Sequence, residues 1–291
     1  MDTNNIEINR INSLDRAVRI ISEDGFFRAV AVKNSNSAKI AQNKHNYSEE
    51  LALPLANVFS FANLTSAFLK GEERIIVDLQ NYNNIGKIYA EAMPIGELRG
   101  FVTKESLNDS KILKVSRILY GEAEPITGIV EIISSNISEI FEEYLKMSEQ
   151  VKSFVMLDAT ADTGGIIQQS GGLIVQAMPG ASNSKITEVD NAIKSANSYC
   201  DYLSNDLRPD QILKAILPFE FKIIKSSLVD FFCRCSKDTF VNKLITLGID
   251  EIKSMKNDNH NELVCQFCNN KYYIEDREFD NIIINLQAKN N

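Results

Sequence analysis

The chain has 291 residues, 44% of them hydrophobic and 24% charged, with a net charge of −8. Such a chain can bury a core in one large or two smaller globular domains, and its acidity argues against general attraction to nucleic acid or an anionic membrane. Residues 1–20 lack the apolar core of a signal peptide, and no run approaches the roughly eighteen apolar residues of a membrane span, so the expected location is cytoplasmic.

In chain order, Leu14 to Val32 is expected to form two strands around a Glu23-Asp24-Gly25 turn, with Phe26, Ala29 and Val32 among the apolar positions of the second. Ser48-Glu49-Glu50 then opens a helix from Leu51 to Leu69, capped by the serine, acidic in its first turn and stopped at Lys70-Gly71. Pro54 falls in its first two turns. Apolar residues occupy almost every face, so this helix is expected to be packed on several sides. From Glu73 to Ile133 the pattern becomes short strand-like runs (ERIIVDL, GKIYAEAM, GELRGFV, ITGIVEII) punctuated by glycines, which predicts an antiparallel or mixed sheet of four or more strands. Ser138 to Gln150 returns to a helical period, with Ser138 as the expected cap. A strand follows at Lys152 to Asp158, then turns at Gly164-Gly165 and Gly171-Gly172. The first 180 residues thus read as one α+β domain.

A second region begins near Ala181. Thr187 and Asp190 have the spacing of a capping box, and Val189, Ile193, Ala196, Cys200 and Leu203 place one apolar stripe along a single amphipathic helix. A short helix from Pro209 to Ile216 is ended by Pro218, ahead of a strand-like Phe219 to Ile223. This segment lies between a large domain and a cysteine-rich end, and its apolar face needs a cover.

Four of the five cysteines lie in that end, as Cys233-Arg234-Cys235 and, after 29 intervening residues, Cys265-Gln266-Phe267-Cys268. Two close pairs of thiols are the signature of a four-thiolate Zn²⁺ site, and the cytoplasm disfavours structural disulfides. A hydrolytic zinc keeps an open position with His or carboxylate ligands, and no such set is visible. The C-x-C pair is unusual for a purely structural zinc. A bridge between residues i and i+2 closes a very small ring, and strained bridges tend to be labile and regulatory. Such a site can be inert or poised.

Other conspicuous residues have plainer readings. Cys200 falls on the helical stripe and is expected in the core. His260 sits beside a polar run and is expected in solvent; His45 forms no ligand pair with it. Arg99 is expected in a structural ion pair. Neither phosphate-binding glycine pattern is present, and no catalytic centre is visible.

These residues bear a likeness to a known family. With Cys233-Arg234-Cys235-Ser236, Leu247-Gly248, Glu251 and Cys265-Gln266-Phe267-Cys268 followed by Tyr272-Tyr273, the chain resembles the 33-kDa heat-shock chaperonins, redox-regulated bacterial holdases. Supporting segments are Gly96 to Gly100, Thr127 to Glu131, Ser148 to Gln150, and Gly171-Gly172 through Met178 to Ala181. The chain departs from the family at Asn81 to Asn84, where a glycine-containing turn is usual, and at Leu51 to Leu64, which lacks a typical Gly-Arg.

The resemblance implies an α+β protein with an N-terminal core domain (1–181), an amphipathic connector (182–232) and a zinc-binding redox switch (233–291). It implies Zn²⁺ on Cys233, Cys235, Cys265 and Cys268, and oxidation to Cys233–Cys235 and Cys265–Cys268 disulfides with release of the ion. The role implied is an ATP-independent, non-enzymatic chaperone that captures unfolding proteins and dimerises when oxidised, with no nucleic acid or membrane partner. The rival reading is a zinc ribbon that binds nucleic acid or protein around a purely structural ion. It predicts a basic face, whereas Asp230, Asp238, Asp250, Glu251, Asp258, Glu262, Glu275, Asp276 and Glu278 make the surroundings largely acidic.

Overall fold

The computed structural model describes residues 14–105 and 110–289. The reading of residues 1–20 as leader-free falls, for residues 1–13, outside the described residues. The chain forms two compact units, residues 1–232 and 233–291.

In the first unit, strands β1 (Arg16–Ser22), β2 (Phe27–Lys33), β8 (Ser153–Ala161), β9 (Ile167–Ala177) and β10 (Phe221–Leu228) form an antiparallel sheet in the order β10-β1-β2-β9-β8. A second, mixed sheet has the order β11-β5-β4-β3-β6-β7, built from β3 (Arg74–Tyr82), β4 (Ile85–Ala92), β5 (Glu97–Thr103), β6 (Ile112–Ile118), β7 (Ile126–Glu131) and β11 (Asp230–Phe231). Among the described residues β11 with β5 is its parallel pair, and the other pairs are antiparallel. The chain therefore passes from the edge of one sheet to the edge of the other between Leu228 and Asp230.

The first hairpin turns at Gly25, whose φ of 75° suits glycine, as the sequence predicts. Helix α1 (Ser35–His45) has no counterpart among the sequence expectations. Its segment, SNSAKIAQNKH, is mostly polar, and its N-terminus is satisfied from a distance. The Asp15 carboxylate accepts from the Asn36 and Ser37 amides at 3.1 and 2.7 Å and from the Ser37 hydroxyl at 2.8 Å.

Helix α2 (Glu49–Ser66) runs through Pro54 and packs against strands of both sheets. Leu55, Val58, Phe59, Phe61 and Leu64 are all buried, as a helix apolar on every face requires. Ser48 occupies the cap position but makes no side-chain cap bond, and the helix ends at Ser66 rather than Leu69. Helix α3 (Ile137–Ser148) stacks Phe141 on Phe61 at 3.7 Å. Its cap is Asn136, which accepts from the Ser138 amide; the Ser138 hydroxyl instead receives the Leu157 amide of β8.

Gly171 and Gly172 lie inside β9, not in a turn. A Cβ on Gly171 would strike the Val32 carbonyl and the Tyr199 ring, so the pair marks a close approach within a strand.

The stripe from Val189 to Leu203 is likewise split. Helix α4 (Asn183–Ser195) is capped by Ser182 rather than by Thr187, the backbone is extended at Ala196, and Ser198 caps the short α5 (Tyr199–Ser204). Helix α6 (Pro209–Ile216) begins at the predicted proline. Val189, Ile193, Tyr199, Leu203, Ile212, Leu213 and Ile216 of these helices share one core with Val18, Ile20, Phe27, Ala29, Leu173 and Val175 of the first sheet. Residues 182–232 are thus packed into the first unit.

Candidate metal centre

The second unit carries a small core of Leu244, Ile252, Ile274, Phe279, Ile282 and Leu286. It joins α7 (Lys237–Leu244), α8 (Ile249–Asn257) and α9 (Asp276–Lys289). Gly248, with φ at 91°, caps α8 in a conformation that other residues rarely adopt. Strands β12 (Glu262–Val264) and β13 (Lys271–Tyr273) form a hairpin whose tip is the Cys265–Cys268 knuckle. Within the knuckle, the Cys265 amide donates to Asn270 and the Asn269 amide donates to the Cys265 carbonyl. Asn269 takes a left-handed conformation (φ 57°), which asparagine tolerates well in tight turns. The other pair, Cys233 and Cys235, precedes α7, which Ser236 caps through the Thr239 amide at 3.2 Å.

All four sulfurs lie within 4.8 Å of one another. Cys233 Sγ is 3.7 Å from Cys265 Sγ, and Cys235 Sγ is 3.3 Å from Cys268 Sγ. A tetrahedral ion bound at about 2.3 Å from each sulfur sets its ligands about 3.8 Å apart, so the cluster has the size such an ion needs. Cys265 and Cys268 are buried while Cys233 and Cys235 are partly exposed, and all are free thiols.

The protonation pattern also suits a cation. Burial pushes the Cys233 and Cys268 thiols up. Burial opposes ionisation of Cys235 as well, but hydrogen bonds from the Tyr272 hydroxyl and neighbouring thiols outweigh it and bring Cys235 down. A divalent ion bound among the sulfurs would replace the thiol protons.

Tyr272 is the participant that the sequence analysis used only as a family marker. Its hydroxyl lies 3.2 Å from Cys235 Sγ and 3.1 Å from the Cys235 carbonyl, two acceptors that share its one proton, while its ring packs near Phe240 at 5.4 Å. An aromatic hydroxyl four residues after the second thiol pair was the available signal.

The remaining candidates stand apart from this cluster. Cys200 is buried in the core of the first unit, its amide bonded to Asp158, and burial pushes its thiol far up. His45 stacks on Tyr47, and His260 is exposed. Arg99 makes the expected ion pair, its Nη2 and Nε both donating to Glu91 Oε2, at 2.8 and 3.2 Å.

A family model described as Hsp33 protein matches residues 15–275. The chain belongs to the Hsp33 family. Among its Hsp33 relatives, a 33 kDa chaperonin of Streptococcus thermophilus is 31% identical over 93% of this chain and 99% of its own length. A 33 kDa chaperonin of Bacillus subtilis is 30% identical over 92% of this chain and 98% of its own. The crystal structure of a Thermotoga maritima Hsp33 homologue superposes with a TM-score of 0.86 at 22% identity, covering 94% of this chain and 99% of that one, which shows a shared fold. Membership makes this chain a chaperone of the Hsp33 family, with an α+β fold and a cysteine cluster positioned to hold a metal ion. Among the described residues no helix is long and apolar enough to cross a membrane.

Proposed function

We propose that the chain is a redox-regulated, ATP-independent holdase in the cytoplasm, acting in three parts: a core domain (1–181), a connector (182–232) and a zinc switch (233–291). The observation that carries this reading is the four-sulfur cluster at the C-x-C and C-x-x-C pairs, built on a unit whose described apolar core is the small cluster around Ile252 and Phe279. Zn²⁺ suits an all-thiolate tetrahedral donor set, and when bound it would hold the sulfurs as thiolates and supply on the order of 10–16 kcal/mol of folding energy.

Oxidation acts on the cysteines themselves. Cys233 and Cys235 form one disulfide and Cys265 and Cys268 the other; each bridge gives up two electrons, and one molecule of hydrogen peroxide takes them with two protons to leave two waters. Four thiolates are consumed, so the ion loses its ligands and residues 233–291 lose their main support. Helices α4 to α6 then become displaceable. Their detachment uncovers Ile193, Leu203, Ile212 and Leu213 together with Val18, Phe27 and Leu173 of the sheet, an apolar surface for unfolding clients. Exposed Ile223, Ile224 and Leu228 on β10 extend it. The oxidised form is expected to dimerise, with no enzymatic step and no nucleic acid or membrane partner.

The test is an oxidant titration that follows zinc content, disulfide mapping and client aggregation on the same samples. The expected course is loss of one Zn²⁺ per chain, bridges within each motif, and suppression of aggregation by oxidised protein alone. Full zinc retention after complete oxidation, or equal activity in both forms, sinks the switch. The mapping matters because the 3.7 and 3.3 Å sulfur contacts run between the motifs, so cross-motif bridges are the competing outcome.

A further inference from the structure

The geometry points to a binding site for a chloride-sized anion in the first unit, outside the thiol cluster and independent of its chemistry. It is a cavity of about 20 Å³ where β1, β10, the end of α2 and the β4–β5 turn meet. Arg19, Lys225, Asn63, Ser227 and Gly96 are among its lining residues, and no carboxylate lines it.

Three features of the lining ask for negative charge. Arg19 on β1 and Lys225 on β10 are direct cross-strand partners, and like charges set opposite each other on adjacent strands are destabilising. Among the described residues each cation is met by a backbone carbonyl: Arg19 donates to Ala67 at 3.0 Å and Lys225 to Pro94 at 3.1 Å. Those bonds spare both side chains from being orphaned but leave two positive charges without a counter-charge. Third, Asn63 is 2% exposed and its Nδ2 has no hydrogen-bond partner, a deficit that the native state rarely tolerates without a bound group.

A single water would accept from the amide, yet it would leave both cations uncompensated. A monatomic anion accepts from all three donors and cancels half of the local charge. The volume suits one atom-sized guest. One wall of the cavity depends on Gly96, at which any Cβ would collide with the Leu228 carbonyl; β10 and the β4–β5 turn could not otherwise approach so closely.

Binding there has a consequence for the strand that supplies Lys225. An anion held jointly by α2, β1 and β10 stabilises the state in which β10 is docked, because a ligand that binds only one state shifts the equilibrium toward it. Chloride therefore resists the opening of β10, whatever drives that opening.

The test uses the full chain in its reduced, zinc-loaded form. Thermal unfolding is followed in sodium chloride against sodium gluconate at fixed ionic strength, with sodium phosphate as a third arm. The expected result is a saturable rise in Tm of about 2–6 °C with chloride alone, accompanied by slower amide exchange at 221–228. Lys225→Gln is expected to remove the chloride effect. Asn63→Asp supplies a built-in carboxylate and is expected to raise Tm and abolish the response. Bromide soaked into wild-type crystals gives a readout that needs no variant, and an anomalous peak within reach of Asn63 Nδ2 is expected. Equal Tm shifts in all three salts, a larger effect with phosphate, or no anomalous signal in the cavity overturns the assignment.

Discussion

Replacing Ile212 by alanine separates the apolar surface from the thiols that are proposed to control it. Ile212 lies on α6, is fully buried, and packs in the core shared with β1, β2 and β9. Truncating a fully buried isoleucine removes three carbons, at about 0.8 kcal/mol for each, and leaves a cavity, for a total of about 3 kcal/mol within the usual range of 2–5. Because α6 has only eight residues, much of that loss falls on its local docking rather than on the whole unit. A 3 kcal/mol shift changes an opening equilibrium by roughly 150-fold. Hydrogen exchange at 209–217 is therefore expected to speed by about two orders of magnitude while β3, β4 and β6 change far less. The same reduced, zinc-loaded variant is expected to suppress client aggregation without oxidant. If exchange at 209–217 accelerates and aggregation is unaffected, the surface under α4 to α6 is not the client surface. If exchange there does not change, α6 does not open locally.

Tyr272→Phe removes the hydroxyl that meets Cys235 Sγ and the Cys235 carbonyl, and is expected to weaken zinc affinity 10–100-fold in a chelator competition; an unchanged affinity would make the contact incidental. Cys268→Ser is expected to lower zinc below one per chain and abolish the unfolding transition of residues 233–291, leaving that of residues 1–232 in place by calorimetry. Glu91→Gln leaves Arg74 and Arg99 without their shared, nearly buried carboxylate and is expected to cost about 3 kcal/mol in denaturant unfolding; a loss under 1 kcal/mol would show that solvent compensates. Burial pushes the Asp15 carboxyl up to about 6 from 3.8, so between those values the folded chain keeps a proton that the unfolded chain releases. The contribution of Asp15 is complete below pH 4 and is lost as pH rises through 6, by about 3 kcal/mol. Stability measured relative to Asp15→Asn should decline over that window, and a flat difference would contradict it.

The elements legible in the sequence were those whose signals are local. Helix α6 starts at Pro209, and the β1–β2 hairpin turns at Gly25, because proline at a helix start and glycine at positive φ act within a few residues. The four thiols were legible as a site because ligand spacing is itself local. What escaped was set by tertiary partners. Helix α1 has little apolar stripe, and Asp15 caps it from another element. Gly171 and Gly172 resembled a turn, but their role is to admit Val32 and Tyr199 alongside β9. Val189 to Leu203 kept one apolar period across a break because both helices pack on the same sheet, so periodicity could not locate the extended Ala196. The cation pair of Arg19 and Lys225 depends on strand register between distant segments, which composition does not encode.

The pairing of β1 with β10 also imposes an order in time. Arg16 lies opposite Leu228, so β1 leaves the ribosome long before its outer neighbour is made. At elongation rates of about 5–20 residues per second, β1 waits roughly 10–40 s for that neighbour. Through that interval its outer edge of unpaired amides and carbonyls is open to other nascent chains. A protein of a chaperone family is thus itself, during synthesis, a substrate in need of protection, and a pulse of rapid translation arrest before residue 221 is expected to yield a soluble fraction smaller than that of the full-length product.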